Sequence, residues 1–480
     1  MLETSPRPSR SPRRTAAIVW LFAASWALAC GGGGENAHVE TAASPVRPKP
    51  PKLATPPTAA PPPTEVAPAE PVCPDVGLEL PDLISSSIDV PLPAVADEHG
   101  AMRSFHEKVL RLLRGRTRDP VRIAVFGDSN MTMDWITGEI RRTLQLAHGD
   151  AGHGYIALGR PWNWYRHMDV RSGHDRLDWK PFAVSTHPSQ DRAYGFAGIS
   201  ARSERRGAVT WVATAAEGSP IGLTASRFDL YYLKKPHAGS VEVRADGQTL
   251  GTFSAESPDI EAGFYAFTLP DAAHRIEVVA GSMKPVTVFG MTLERDVPSF
   301  IVDSLGVGAV SGPLLLRQDP DVMRAALRHR GYDLVVLLLG SNQVWPVKYV
   351  SWMSELIARF RDASPNVSVL VTTPVDQVTS VRATHSVPDL RLVAQQNVTV
   401  ARETQSAFWD FRGAMGGEAS MVRFIATGMG QADGIHLTQK GARYMARRML
   451  RAILEDTTRY LARHPRAGCE ETPAKVGSSP

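Results

Sequence analysis

Val121-Arg122-Ile123-Ala124-Val125-Phe126-Gly127-Asp128-Ser129 is a short apolar run, rich in β-branched residues, that breaks into a glycine and a polar pair. The apolar part at 121–126 suits a buried strand better than a helix, and residues 135–146 then show the apolar spacing of a helix. Strand, sharp turn and helix together form a unit of an open α/β sheet. Such sheets bind ligands beyond the carboxyl ends of their strands, so Ser129 stands where its hydroxyl can meet one. Gly-Asp-Ser by itself is also an ordinary turn that caps a following helix.

Working outward, residues 105–114 have helical spacing, and the α/β texture returns near the other end. Residues 334–339 form a continuous apolar run suited to a strand covered on both faces. Residues 350–360 read as an amphipathic helix, 367–372 as another strand and 439–461 as a long final helix. Between the two halves, roughly 194–295, period-two segments recur at 227–233, 240–244, 249–254, 265–269, 275–279 and 285–293. Asp246-Gly247 separates two of them as a hairpin signal. Short strands with frequent turns predict an antiparallel β-sandwich or jelly roll, inserted into one α/β domain.

Three further stretches can carry chemistry. Asp433-Gly434-Ile435-His436 precedes the final helix, and its spacing lets the carboxylate reach the near imidazole nitrogen and fix the tautomer. Gly340-Ser341-Asn342-Gln343 follows an apolar strand, where an amide can donate to a developing oxyanion. Asp303-Ser304-Leu305-Gly306-Val307-Gly308 offers flexible backbone amides for the same purpose. The first has an ordinary reading as a capping aspartate followed by a surface histidine, and the second as a Gly-Ser-Asn turn.

In chain order, these four blocks resemble those of the SGNH/GDSL hydrolases. The resemblance implies a three-layer flavodoxin-like α/β domain with a parallel sheet, interrupted by the β-sandwich. It makes Ser129 the nucleophile, His436 the general base and then acid, and Asp433 the residue that orients it. The Ser129 amide, the Gly308 amide and the Asn342 side chain become the oxyanion hole, with Gly306 as the alternative to Gly308. Asn130 and Gln343 depart from the usual pattern and bear on substrate preference. The run Gly159-Arg160-Pro161-Trp162-Asn163-Trp164-Tyr165 and the inserted β-module resemble the bacterial peptidoglycan O-acetylesterase subgroup, where the insert is similar to a carbohydrate-binding module. Deacetylation of a cell-wall or extracellular polysaccharide is therefore expected, with no metal or organic cofactor. Alternatives are an O-acetyltransferase with the same triad, a surface glycan-binding lipoprotein, and a lipase-like hydrolase. Trp162, Trp164 and Tyr165 suit core packing, with sugar stacking as the other reading. His153, His167, His174 and His187 are not expected to form a close metal-ligand set.

The 480 residues carry a net charge of +4, without the concentrated basic stripe of a nucleic-acid binder. The clearest basic cluster, Arg7 to Arg14, precedes an apolar segment at 15–28, as in a signal peptide. Ala27-Leu28-Ala29-Cys30 resembles a lipobox, with an ordinary cleaved signal as the alternative. Lipidation at Cys30 would anchor the protein to a membrane of the cell envelope, by resemblance the outer one. Residues 31–75, rich in proline and alanine, form an expected disordered spacer. The hydrolase domain is expected over 76–193 and 296–464, the insert over 194–295 and a tail over 465–480. Cys73 and Cys469 flank the folded region, and an exported compartment permits a disulfide between them or two free thiols.

Overall fold

The computed structural model describes residues 73–175, 178–342 and 346–469. The expected signal segment and lipidation at Cys30, nearly all of the spacer, Gln343 and the chain after Cys469 lie outside the described residues. Among the described residues, no helix is long and apolar enough to cross a membrane.

The first half of the α/β unit is α1 (Arg103–Leu113), β1 (Val121–Gly127) and α2 (Trp135–His148). An antiparallel section follows: β2 (Gly152–Ala157), β3 (Val170–His174), β4 (Lys180–Ala183), β5 (Ile199–Ser203), β6 (Val209–Thr214) and β7 (Ala225–Lys234). It continues through β8 (Ser240–Ala245), β9 (Gln248–Ser254), β10 (Glu261–Ala272), β11 (Arg275–Ala280) and β12 (Val286–Glu294). The α/β unit resumes with β13 (Phe300–Gly306), α3 (Gly312–Leu315), α4 (Pro320–Arg330), β14 (Leu334–Leu338) and α5 (Tyr349–Ala363). It ends with β15 (Ser368–Thr372), α6 (Pro388–Glu403), β16 (Ala407–Trp409), α7 (Phe411–Met415), α8 (Ser420–Ala426) and α9 (Gln439–Arg463).

The parallel sheet has the order β13-β1-β14-β15-β16. Counted within this sheet that is 2-1-3-4-5, the flavodoxin-like order, whose topological switch point lies between β1 and β14. Alternation along each strand feeds two helical layers. Ile123 and Val125 pack with Ile136 and Ile140 of α2 and Met449 and Ile453 of α9. Ala124 and Phe126 pack with Ala326 of α4 and Phe360 of α5. Strands covered on both faces need no period-two pattern, which is why their sequences are continuous apolar runs.

The other strands form two antiparallel sheets, β10-β7-β12-β5-β4 with β2 also on β12, and β3-β6-β11-β8-β9. Val288 and Leu230 of the first share a core with Val243 and Val278 of the second, which makes the expected sandwich. Its predicted start near residue 194 is corrected, because β2, β3 and β4 already belong to these sheets. Their signal is hidden. In β2 all six residues are buried, so inside and outside do not alternate. Gly152 and Gly154 there have positive φ, 97° and 88°, where a side chain would be strained. A β-carbon on Gly154 would also lie 2.2 Å from Asp303 Oδ1.

Insert and parallel sheet are joined by buried charges. Asp303 on β13 accepts from Arg330 Nε at 2.7 Å and Nη2 at 3.0 Å, from Tyr332 Oη at 2.7 Å, and from the Tyr155 amide of β2 at 2.9 Å. Arg330 also meets Glu294 on β12, which accepts from Arg122 of β1 at 3.0 Å. Burial alone would push the Glu294 carboxyl up, but the two guanidinium groups hold it down to about 2. Asp303 to Gly306, expected to be flexible, is therefore a buried strand.

At the ends of the described fold, Cys73 and Cys469 form a disulfide. Arg114 Nη2 donates to the Pro465 carbonyl at 2.7 Å, and the Gly468 amide donates to Glu107 at 2.7 Å. The expected tail is thus packed as far as Cys469. The bridge closes nearly the whole folded chain, with a sequence separation of 396, and loss of such a constraint typically costs about 2–5 kcal/mol. The Cys73→Ser, Cys469→Ser double variant should melt several degrees below the wild type, and reductant should lower the wild type alone. Equal midpoints would remove the bridge as a stabilising element.

Candidate active site

Register brings the site together. Gly127 at the end of β1 lies opposite Gly306 of β13 and Leu338 of β14. The segments holding Ser129, Gly308 and Asn342 therefore leave the same carboxyl edge. Asp128 caps a short 3-10 turn, Ser129–Met131, by accepting from the Asn130 amide at 3.0 Å. That turn presses Met131 onto the strand ends. A β-carbon on Gly306 would fall 2.4 Å from Met131 Cβ, whereas one on Gly308 would meet nothing within 4 Å. Gly306 serves close packing, and Gly308 has open space in front of it.

Ser129 Oγ lies 2.8 Å from His436 Nε2, and His436 Nδ1 lies 2.6 Å from Asp433 Oδ2. The other Asp433 oxygen accepts from the amides of Ile435 at 2.9 Å and His436 at 3.0 Å. Partial burial raises the Asp433 carboxyl, but these bonds outweigh it and hold the group below the usual carboxylate range. An ionised Asp433 accepts the Nδ1 proton and leaves the Nε2 lone pair facing the hydroxyl. Asp433 and His436 keep side-chain exposures of 42% and 31%, so the chain of bonds opens to solvent. This arrangement can remove a proton from a serine hydroxyl and return it to a leaving group.

Asn342 Nδ2 donates to the Val310 carbonyl at 3.2 Å. One of the two amide hydrogens is thereby committed, which orients the group and leaves the second available. Val310 is two residues beyond Gly308, whose carbonyl accepts from Ser185 Oγ at 2.6 Å. Ser185 gave no sequence signal, since a lone serine in a loop has none.

Asn130 has a role the sequence reading missed. Its Oδ1 accepts from the Leu437 amide at 2.9 Å and its Nδ2 donates to the Ile435 carbonyl at 3.4 Å. This buried side chain ties the nucleophile turn to the histidine loop and contacts that loop's backbone on both sides of His436. The signal was a polar residue just after the serine; its partner, distant in sequence, was not visible.

The expectation for the histidines is corrected in part. His153 and His167 come together with Asp134, all within ligating reach of a common point, and Asp97, His106 and Asp456 do likewise. Asp134, however, already accepts from both Arg141 Nη groups at 3.0 Å, from Thr137 Oγ1 at 2.6 Å and from the Met168 amide at 2.9 Å. A buried guanidinium at that distance repels a cation. His106 is bonded through both ring nitrogens, to Thr457 and Asp456. Asp134 and His106 are thus engaged within the fold, whereas both ring nitrogens of His153 and Nδ1 of His167 are buried without a hydrogen-bond partner among the described residues.

Burial holds the His153 imidazole well below its ordinary range and brings His167 down to about 4. Unfolded histidine binds a proton near 6.5, so the unfolded chain takes up protons first as pH falls. Stability should therefore drop from pH 6.5 towards 4, by about 1.4 kcal/mol per pH unit for each such histidine. Denaturant titrations across this window should show a shallower slope in His167→Gln. An unaltered slope would mean that His167 titrates normally in the fold.

Known proteins resemble this chain in sequence over one segment and in fold over most of its length. Residues 287–444 match the model of the GDSL-like lipase/acylhydrolase family. The matched segment contains Gly308, Asn342, Asp433 and His436; Ser129 lies before it, beyond most of the inserted strands. No curated protein sequence matches the chain. Among solved structures, a peptidoglycan O-acetylesterase superposes with a TM-score of 0.64 at 23% identity, covering 76% of this chain and 99% of the other. A family two carbohydrate esterase from Clostridium thermocellum superposes with a TM-score of 0.26 at 11% identity, covering 58% of this chain and 99% of the other. The first of these shows the shared fold, with the α/β unit and its insert. Over residues 287–444 the chain is thus similar to the GDSL-like lipase/acylhydrolase family, and its fold is that of an SGNH-type α/β domain with a β-rich insert.

Proposed function

We propose that the protein is an exported serine esterase that removes O-acetyl groups from a cell-wall or extracellular polysaccharide. The observation that carries the mechanism is the bonded series Ser129–His436–Asp433 at the carboxyl edge of the parallel sheet. Ser129 Oγ passes its proton to His436 Nε2 and attacks the ester carbonyl. The developing oxyanion accepts from the amides of Ser129 and Gly308 and from the free hydrogen of Asn342 Nδ2. Collapse breaks the bond to the sugar oxygen, which takes the proton from His436. Water, deprotonated by His436, then attacks the acyl-enzyme and releases acetate. Asp433 holds the imidazole in register and stabilises its cationic form.

The polysaccharide substrate is supported by the likeness in fold to the peptidoglycan O-acetylesterase and by the inserted sandwich. Export is supported by the basic and apolar segments ahead of Ala27-Leu28-Ala29-Cys30 and by a disulfide, which persists in oxidising compartments. In this reading Cys30 carries the lipid that holds the enzyme to a membrane of the cell envelope.

Ser129→Ala should lower acetate release from both O-acetylated peptidoglycan and a chromogenic acetate ester by at least about 10⁴-fold. Retained turnover would exclude Ser129 as nucleophile, and a folded wild type inactive on both substrates would remove the esterase reading. Asn130→Ala should reduce kcat by up to about 10²-fold with little change in KM, because it loosens the histidine loop rather than the substrate. Steady-state kinetics distinguish the two; a rise in KM at constant kcat would place Asn130 in substrate binding instead.

A further inference from the structure

Gly308 also lines a cleft of about 460 Å³ that the insert walls with aromatic side chains. That size lies in the usual range of small-ligand sites, about 300–1,000 Å³. Trp164 stands there with 56% of its surface exposed, although a free indole of that size normally seeks cover. Its loop is held from below. Tyr165 is buried and its hydroxyl accepts from the Ala157 amide of β2 at 2.9 Å. Trp162 packs edge-on against Tyr165, 5.4 Å between ring centroids, and Trp164 lies 6.4 Å from Trp162. Arg160, at a left-handed φ of 47°, closes the loop by donating to the Asn163 carbonyl. A platform fixed in this way loses little freedom when a ligand arrives.

The second observation concerns hydrogen bonds. Trp179 also lines the cleft and is only 2% exposed, yet among the described residues neither its indole N–H nor the buried N–H of Trp162 has a partner. A buried donor left unpaired costs about 1–3 kcal/mol, and a polar ligand that opened this wall would offer both an acceptor. Among the described residues the cleft lining includes no carboxylate, and Arg160 there is engaged by Asn163. The lining therefore suits an uncharged ligand rich in oxygen with an apolar face.

We propose that this cleft is a glycan subsite in which a pyranose ring of the acetylated polysaccharide stacks on Trp164. The partly positive C–H groups of the ring meet the negative indole face. The inference rests on the esterase reading of Ser129 and adds the group that holds the sugar beside the reacting ester. Ser185, bonded to the Gly308 carbonyl at 2.6 Å, couples the aromatic wall to the expected oxyanion amide.

Two measurements on the full chain test this. Trp164→Ala should lower kcat/KM on O-acetylated peptidoglycan about ten-fold more than on a chromogenic acetate ester, mainly through KM, and Trp164→Phe should recover part of the loss. In a Ser129→Ala background, binding of de-O-acetylated glycan strands, read by calorimetry, should weaken about ten-fold when Trp164→Ala is added. Equal losses on polymer and small ester, or glycan binding indifferent to Trp164, would overturn the subsite. The binding arm reads the subsite even if no ester is turned over, so failure of the esterase reading and failure of the subsite remain distinguishable. Because Trp164 is exposed, the variant's thermal midpoint should match the wild type, which separates recognition from folding.

Discussion

The Arg330 guanidinium, buried between Asp303 of the parallel sheet and Glu294 of the insert, is the constraint on which the architecture turns. A charge in that position is tolerated only when fully paired, and removal of one partner from such a set typically costs about 3–5 kcal/mol. The set therefore acts through its specificity. It admits one packing of β12 and β2 against β13, since Asp303 must also receive the Tyr155 amide. The insert is consequently fused to the hydrolase sheet over a common core that includes Tyr155, Phe196, Tyr231 and Tyr332, and it does not hang from a flexible connection.

That fusion bears directly on the site. Segments of the insert run back to the carboxyl edge of the parallel sheet, where the Asp319 amide donates to the Arg192 carbonyl at 2.9 Å and the Gly198 amide to Gln318 Oε1 at 3.1 Å. Together with the Ser185 bond to Gly308, these contacts fix the loop after β13. On the other flank, Asn130 fixes the histidine loop, and Thr438 caps α9 immediately beyond it by accepting from the Gly441 amide. The reacting groups are thus held by backbone on both sides. Preorganisation of this kind is what lets oriented donors and a general base lower a barrier without reorganising during the reaction.

Much of this was legible in the sequence, and the exceptions have physical causes. Strand β1 and its turn, the final helix, and the Asp433–His436 spacing all depend on local pattern, and local pattern is what a sequence displays. The beginning of the insert was missed because β2 is buried throughout and contains two glycines at positive φ, so it lacks alternation. Asp303 to Gly306 looked like a polar, glycine-containing loop, but its aspartate is the acceptor of a buried arginine separated from it by a helix. The meeting of His153 and His167 with Asp134 likewise depends on how α2 packs beside β2. Asn130 illustrates the same limit at the site itself, since its partners lie at 435 and 437. Pairings of this long range are set by topology, which a single sequence encodes only through the fold.

The division of labour follows from where the insertion enters. It interrupts the crossover between β1 and β13 after α2, leaving the strand ends that carry Ser129, Gly308 and Asn342 in their shared register. The reacting groups consequently come from the parallel sheet and the loop before α9, while the aromatic wall comes from the inserted section. Changes in Trp164 or its neighbours need not disturb the 2.8 Å contact between Ser129 and His436, because among the described residues no hydrogen bond of that series passes through the insert. The Ser185–Gly308 bond runs from one set to the other, at a backbone carbonyl whose neighbouring amide is the expected oxyanion donor. A ligand seated against the wall would meet the proposed site through that carbonyl, on the side of the expected oxyanion amide rather than that of His436.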